Sequence, residues 1–107
     1  MTTFDNRENA FENKFAHDAD LQFRISARRN KLLGLWAAEL MGLTAEESDA
    51  YAKAVVQADF EEAGDEDVVR KVLGDLTSAG VEADDAMVRS ALEALAAEAR
   101  RQFIDIA

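Results

Sequence analysis

The sequence predicts an all-α protein: an antiparallel four-helix bundle over residues 20–107, preceded by a mobile, partly helical N-terminal segment over residues 1–19. Three observations lead there. Proline is absent from all 107 residues. The chain is rich in Ala, Leu, Glu, Arg and Lys, the residues that lose least freedom in a helix. Gly42, Gly64 and Gly80 each follow a periodic apolar segment and precede an acidic or Thr start signal, as a helix-ending glycine followed by an N-cap does. These breaks divide residues 20–107 into four helices, at about residues 20–41, 45–63, 66–79 and 85–104.

In the first helix, Leu21, Ile25, Leu32, Trp36 and Leu43 fall on one narrow stripe at about 100° per residue, with Leu40 beside it. That stripe is the expected core face. The second helix opens on Thr44-Ala45-Glu46-Glu47, a capping box in which the Thr44 hydroxyl takes the Glu47 amide and the Glu47 carboxylate reaches back. It carries Tyr51, Ala52, Val55, Val56 and Phe60 toward the core. Asp65, Glu66 and Asp67 then place three carboxylates at the positive end of the third helix, whose stripe is Val69, Val72, Leu73 and Leu76. Asp84 caps the fourth helix, where Val88, Ala91, Leu92, Leu95, Ala99 and Phe103 share a face and Arg100 and Arg101 complement the negative end. Gly34 and Gly74 point away from these stripes. They read as tolerated surface glycines, with close approach of a partner backbone the other reading.

Composition narrows the function. The length allows one domain. Twelve basic residues against 22 acidic ones leave a formal charge of −10, so nucleic acid is not the expected partner, because phosphates require a clustered basic surface. Without cysteine and with a single histidine, disulfides, thiolate catalysis and multi-histidine metal sites are excluded. No apolar run approaches the roughly 18 residues of a membrane span, and no signal peptide is evident. A cytoplasmic, soluble binding protein without cofactor or direct membrane insertion is expected. Ser26, Thr44, Ser48, Thr77, Ser78 and Ser90 have no plausible histidine partner, which leaves no basis for an enzyme.

Residues 1–19 do not fit the bundle. Phe4, Phe11 and Phe15 lie within about 40° of one another on a helical wheel, forming one aromatic ridge beside polar neighbours. Leu21 begins a stripe about 100° away. Fourteen to sixteen residues of this kind are marginal as an isolated helix of about that length, so the segment is expected to order against a partner. A fifth helix docked through the same phenylalanines is the alternative.

Other clusters have two readings. Arg24, Arg28 and Lys31 occupy an arc of about 60°, with Arg29 on the other flank. They form either a nucleotide- or anion-binding patch or the internal partners of acids on neighbouring helices. Asp59, Glu61, Glu62, Asp65, Glu66 and Asp67 lack the spacing of a calcium loop and read as a solvated acidic corner. His17 beside Asp18 is a pH-sensitive candidate. Trp36 and Tyr51 are expected to fill the core with their polar tips at its edge.

The N-terminal half carries unbroken motifs: Thr3-Phe4-Asp5 with Arg7-Glu8, Ala10-Phe11-Glu12 and Lys14-Phe15-Ala16-His17-Asp18. They continue as Ala27-Arg28-Arg29-Asn30-Lys31-Leu32-Leu33-Gly34-Leu35-Trp36-Ala37-Ala38-Glu39-Leu40, then Tyr51-Ala52-Lys53, then Ala58-Asp59-Phe60-Glu61-Glu62-Ala63-Gly64-Asp65-Glu66-Asp67-Val68. Over most of residues 3–76 the chain resembles the ζ inhibitor subunits of the alphaproteobacterial F-type ATP synthase. The resemblance implies a four-helix bundle with a mobile inhibitory segment that inserts at a catalytic interface of the α and β subunits near the rotor and blocks ATP hydrolysis. It implies the catalytic sector as partner and a location at the cytoplasmic face of the inner membrane, reached through the synthase. On this reading Phe4, Phe11 and Phe15 supply buried area, while Asp5, Arg7, Glu8, Glu12 and Lys14 set register at the rim. A sensor of adenine nucleotide or phosphate and a helical adaptor for an unrelated partner are the other classes.

Overall fold

A computed structural model describes the backbone of residues 3–59 and 64–104 and the side chains of residues 18–59 and 64–104. Four helices follow in order: α1 Thr3–Met41, α2 Ala45–Ala58, α3 Glu66–Ser78 and α4 Asp85–Ile104. No strand occurs among the described residues. α1 packs against all three other helices, chiefly α2 and α4, while α3 closes the bundle against α2 and α4. This is the four-helix arrangement expected of short loops between amphipathic helices.

Local signals set the boundaries. Thr44 Oγ1 accepts the Glu47 amide at 3.2 Å and Glu47 Oε1 accepts the Thr44 amide at 2.9 Å, completing the capping box. The Met87 amide donates to Asp84 Oδ1 at 2.8 Å and starts α4. Gly42 and Gly80, at φ 72° and 81°, turn the chain out of α1 and α3 in the left-handed conformation open to glycine.

Three expectations need correction. α1 begins at Thr3 rather than near Asp20. No proline or glycine interrupts residues 3–33, and the polar residues between Phe15 and Leu21 tolerate a helix, with Asp20 and Arg24 pairing at 2.9 Å one turn apart. α2 ends at Ala58, five residues short of expectation, with Asp59 as its C-cap; Phe60 and the rest of the stretch to Ala63 lie outside the described residues. The core face of α1 is also turned. Leu33, Ala37 and Ala38 are fully buried beside Ile25 and Asn30, whereas Trp36 is only partly buried and Leu40 is 41% exposed. The cause is the small residues. A Cβ at Gly34 would lie 2.6 Å from Ala52 Cα, so α2 seats on the Gly34 side and draws the core toward it. Gly34 is thus a close-approach position within the chain, while Gly74 faces open space as a surface glycine does.

The core itself is Leu33, Val55, Val68, Val69, Val72, Leu76 and Val88, closed by Leu92 and Ala37. Burying each large side chain contributes roughly 1.5–3 kcal/mol. The predicted Val69, Val72 and Leu76 stripe of α3 is there, joined by Val68. Every buried side-chain nitrogen and oxygen among the described residues has a hydrogen-bond partner.

Candidate functional site

Phe4, Asp5, Arg7, Glu8, Phe11, Glu12, Lys14, Phe15 and His17 all fall on α1, and their side chains lie outside the described residues. At a rise of about 1.5 Å per residue, the 39 residues of α1 run for about 58 Å, against about 30 Å for the 20 residues of α4. Among the described side chains of α1, the first buried one is Ile25, with Asp18, Ala19 and Asp20 exposed. The first helix is therefore about twice the length of α4, and the predicted ridge falls in its first half.

The cationic quartet is parted by the fold. Arg29, only 13% exposed, donates from Nη2 to Asp65 Oδ1 at 2.9 Å, stands 3.8 Å from Asp59 and donates from Nε to Asn30 Oδ1 at 3.1 Å. One guanidinium fork thus ties α1 to the end of α2 and the start of α3. It also explains why Asp65, the N-cap of α3, makes no side-chain cap of its own. Arg24 pairs with Asp20 along α1, exposed on both sides. Arg28 lies over the Phe103 ring of α4, 6.0 Å from its centroid, at the reach of a cation–π contact. Lys31 is exposed and has no ion pair among the described residues.

The acidic corner is largely used internally. Arg89 of α4 reaches Glu66 at 2.7 Å and Asp85 at 2.6 Å. The first bond holds the Glu66 carboxyl below its usual range. Asp67 is buried and accepts the Val68 amide at 2.9 Å. Glu61 and Glu62 lie outside the described residues, and no group of three metal-ligating side chains occurs among the described ones. Tyr51 is half-buried, its hydroxyl donating to Asp75 Oδ2 at 2.8 Å while Lys71 bonds the same oxygen at 3.1 Å and lies over the ring. Burial first, then the bond and charge of Asp75, push this phenol well above its usual range.

Sequence reasoning missed an apolar surface beside the quartet. Phe23, 55% exposed, Val56 of α2 and Phe103 of α4 line a shallow depression of 310 Å³ together with Arg28 and Lys31. Part of it was detectable, since Phe23, Ala27 and Lys31 follow one another at the four-residue spacing of a single helix face.

The fold and these surfaces define a small helical interaction module, a bundle that presents an overlong first helix and a mixed aromatic and cationic face. Residues 1–102 match the family described as ATPase inhibitor subunit zeta, and the chain belongs to that family. A protein solved by solution NMR is similar to it, at 53% identity and a TM-score of 0.71, over 81% of this chain and 99% of that one. No curated protein matches the chain. No helix among the described residues is long and apolar enough to cross a membrane.

Proposed function

We propose that this chain is a regulatory, non-catalytic subunit that inhibits the F-type ATP synthase by inserting its N-terminal amphipathic segment at a catalytic α/β interface near the rotor, so that ATP hydrolysis is blocked. Membership of the inhibitor family supports the target. The observation that carries the mode of action is α1, which begins at Thr3 but has its first buried described side chain at Ile25. A helix that extends past its own core offers a face to another protein. The spacing of Phe4, Phe11 and Phe15 makes that face aromatic, with Asp5, Arg7, Glu8, Glu12 and Lys14 flanking it. Aromatic anchors of this kind carry most of the energy in helix-in-groove contacts. The bundle stays outside as the anchor, on the cytoplasmic side, held at the membrane only through the synthase.

The test is ATP hydrolysis by the purified cognate catalytic sector, titrated with the full chain, with a version lacking residues 1–19 and with Phe11→Ala/Phe15→Ala. Inhibition by the full chain and its loss in both variants is the expected result. Undiminished inhibition by the double variant would remove the ridge as the binding face.

A further inference from the structure

Arg28, Lys31, Lys53 and Arg100 are exposed and have no carboxylate partner among the described residues, and the first three share one outer face of the bundle. This is unusual for a chain of charge −10, in which Arg24, Arg29, Lys71, Arg89 and Arg101 all pair with acids. The three are also adjacent. Arg28 and Lys31 share the depression with Phe23, Val56 and Phe103, and Lys31, Lys53 and Val56 line the neighbouring groove between α1 and α2. Asp49 also lines that groove, so the surface is apolar at its centre with three cations and one carboxylate around it, the pattern of an interface rather than of a solvated face.

We propose that this face is a second docking surface, which receives an acidic, apolar-tipped segment on the outside of the catalytic sector while the N-terminal segment occupies the catalytic interface. The inference rests on the proposed inhibitory role. Charge complementarity selects the occupant, since three cations without a carboxylate partner favour acidic groups, and exposed Phe23 beside half-buried Val56 favours an apolar anchor between them. Position selects the partner. Phe23 follows Phe15 by eight residues on the same unbroken helix, about 12 Å further along, so a protein that encloses the ridge is within reach of the face. Two linked contacts raise avidity without tightening either one.

The experiment titrates hydrolysis by the catalytic sector with the wild-type chain and with Arg28→Glu/Lys31→Glu/Lys53→Glu, each at low and at raised salt. The three positions are exposed, and an unchanged thermal midpoint checks that the fold is retained. The expected result is an inhibition midpoint about tenfold higher for the variant at low salt, converging with wild type as salt rises, with full inhibition still reached at saturation. Wild-type inhibition that is insensitive to salt overturns the proposal without recourse to any variant. Equal midpoints for the two chains overturn it and leave the inhibitory role standing, and so does a loss confined to ATP or ADP binding in the variant, which would make the face a nucleotide site. A wild-type chain that does not inhibit at all overturns the inhibitory role and this inference together.

Discussion

Gly34 in α1 stands so close to Ala52 in α2 that a Cβ added to it would lie 2.6 Å from the Ala52 Cα and 3.3 Å from Val55 Cγ2. Backbone cannot yield as a side-chain tip does, so Gly34→Ala must separate the helices. A net destabilisation of about 1–3 kcal/mol is expected from overpacking, even though alanine favours a helix by about 1 kcal/mol over glycine. Gly74→Ala meets open space and is expected to gain about that last amount. Urea unfolding of the two variants should move in opposite directions.

Arg29 joins three helices through one side chain. Replacing it with Ala leaves Asp65 without its 2.9 Å partner and Asn30 without a donor at its buried oxygen. The expected loss is about 1–3 kcal/mol, the scale of a hydrogen bond to a charged group. Arg29→Lys restores the charge but not the fork, and should recover only part of it. A double-mutant cycle with Asp65→Asn measures the shared portion.

Tyr51 is the single tyrosine of the chain, so its ionisation can be followed directly by phenolate absorbance. Its folded pKa is raised, by burial first and by Asp75 second. The stability this contributes is therefore complete below the unfolded value of about 10 and is lost as pH climbs above it. Alkaline titration should show no phenolate at the ordinary phenol range, and its appearance should coincide with the loss of helical circular dichroism. In Tyr51→Phe, where Asp75 keeps Lys71, a loss of about 0.5–1.5 kcal/mol is expected.

Three carboxyls are held below their usual range: Glu47 by the Thr44 amide, Glu66 by Arg89, and Glu98 by Gln102 and then Arg101. With lowered folded values, the unfolded chain takes up protons first. Their contribution is present above the ordinary carboxylate range and fades as pH falls through it. The thermal midpoint should decline on acidification from about pH 4.5 downward, and Glu66→Gln should make that decline shallower.

Where one short stretch of chain contains the whole interaction, the sequence was enough to read it. The box between Thr44 and Glu47, the Asp84 cap and the glycines ending α1 and α3 span four residues or fewer, and all are in place. The core face of α1 was less legible because apolar periodicity weights large residues. It selects Leu21, Trp36 and Leu40, whereas packing density is decided by Gly34, Ala37 and Ala38, which admit α2. The contact of Arg29 with Asp65 spans 36 positions, and no local pattern announces it. For the same reason only the α1 part of the face built from Phe23, Val56 and Phe103 was legible, since the three residues come from three different helices. The ridge expected at Phe4, Phe11 and Phe15 rests on spacing along one helix, and its side chains lie outside the described residues.

The unbroken course of α1 turns residue count into angular phase. Because α1 runs without a break from Thr3 to Met41, the proposed aromatic ridge would have its angular phase geared to the orientation of the whole domain, as a key's bit is to its bow. Inserting one residue after Asp18 would swing the ridge by about 100°, while inserting four would bring it back to within about 40° and displace it by about 6 Å. Substitutions along this stretch other than proline leave that gearing intact. Insertions and deletions do not, so on the proposed inhibitory reading the chain length between Phe15 and Phe23 should matter to inhibition more than the identity of the residues within it.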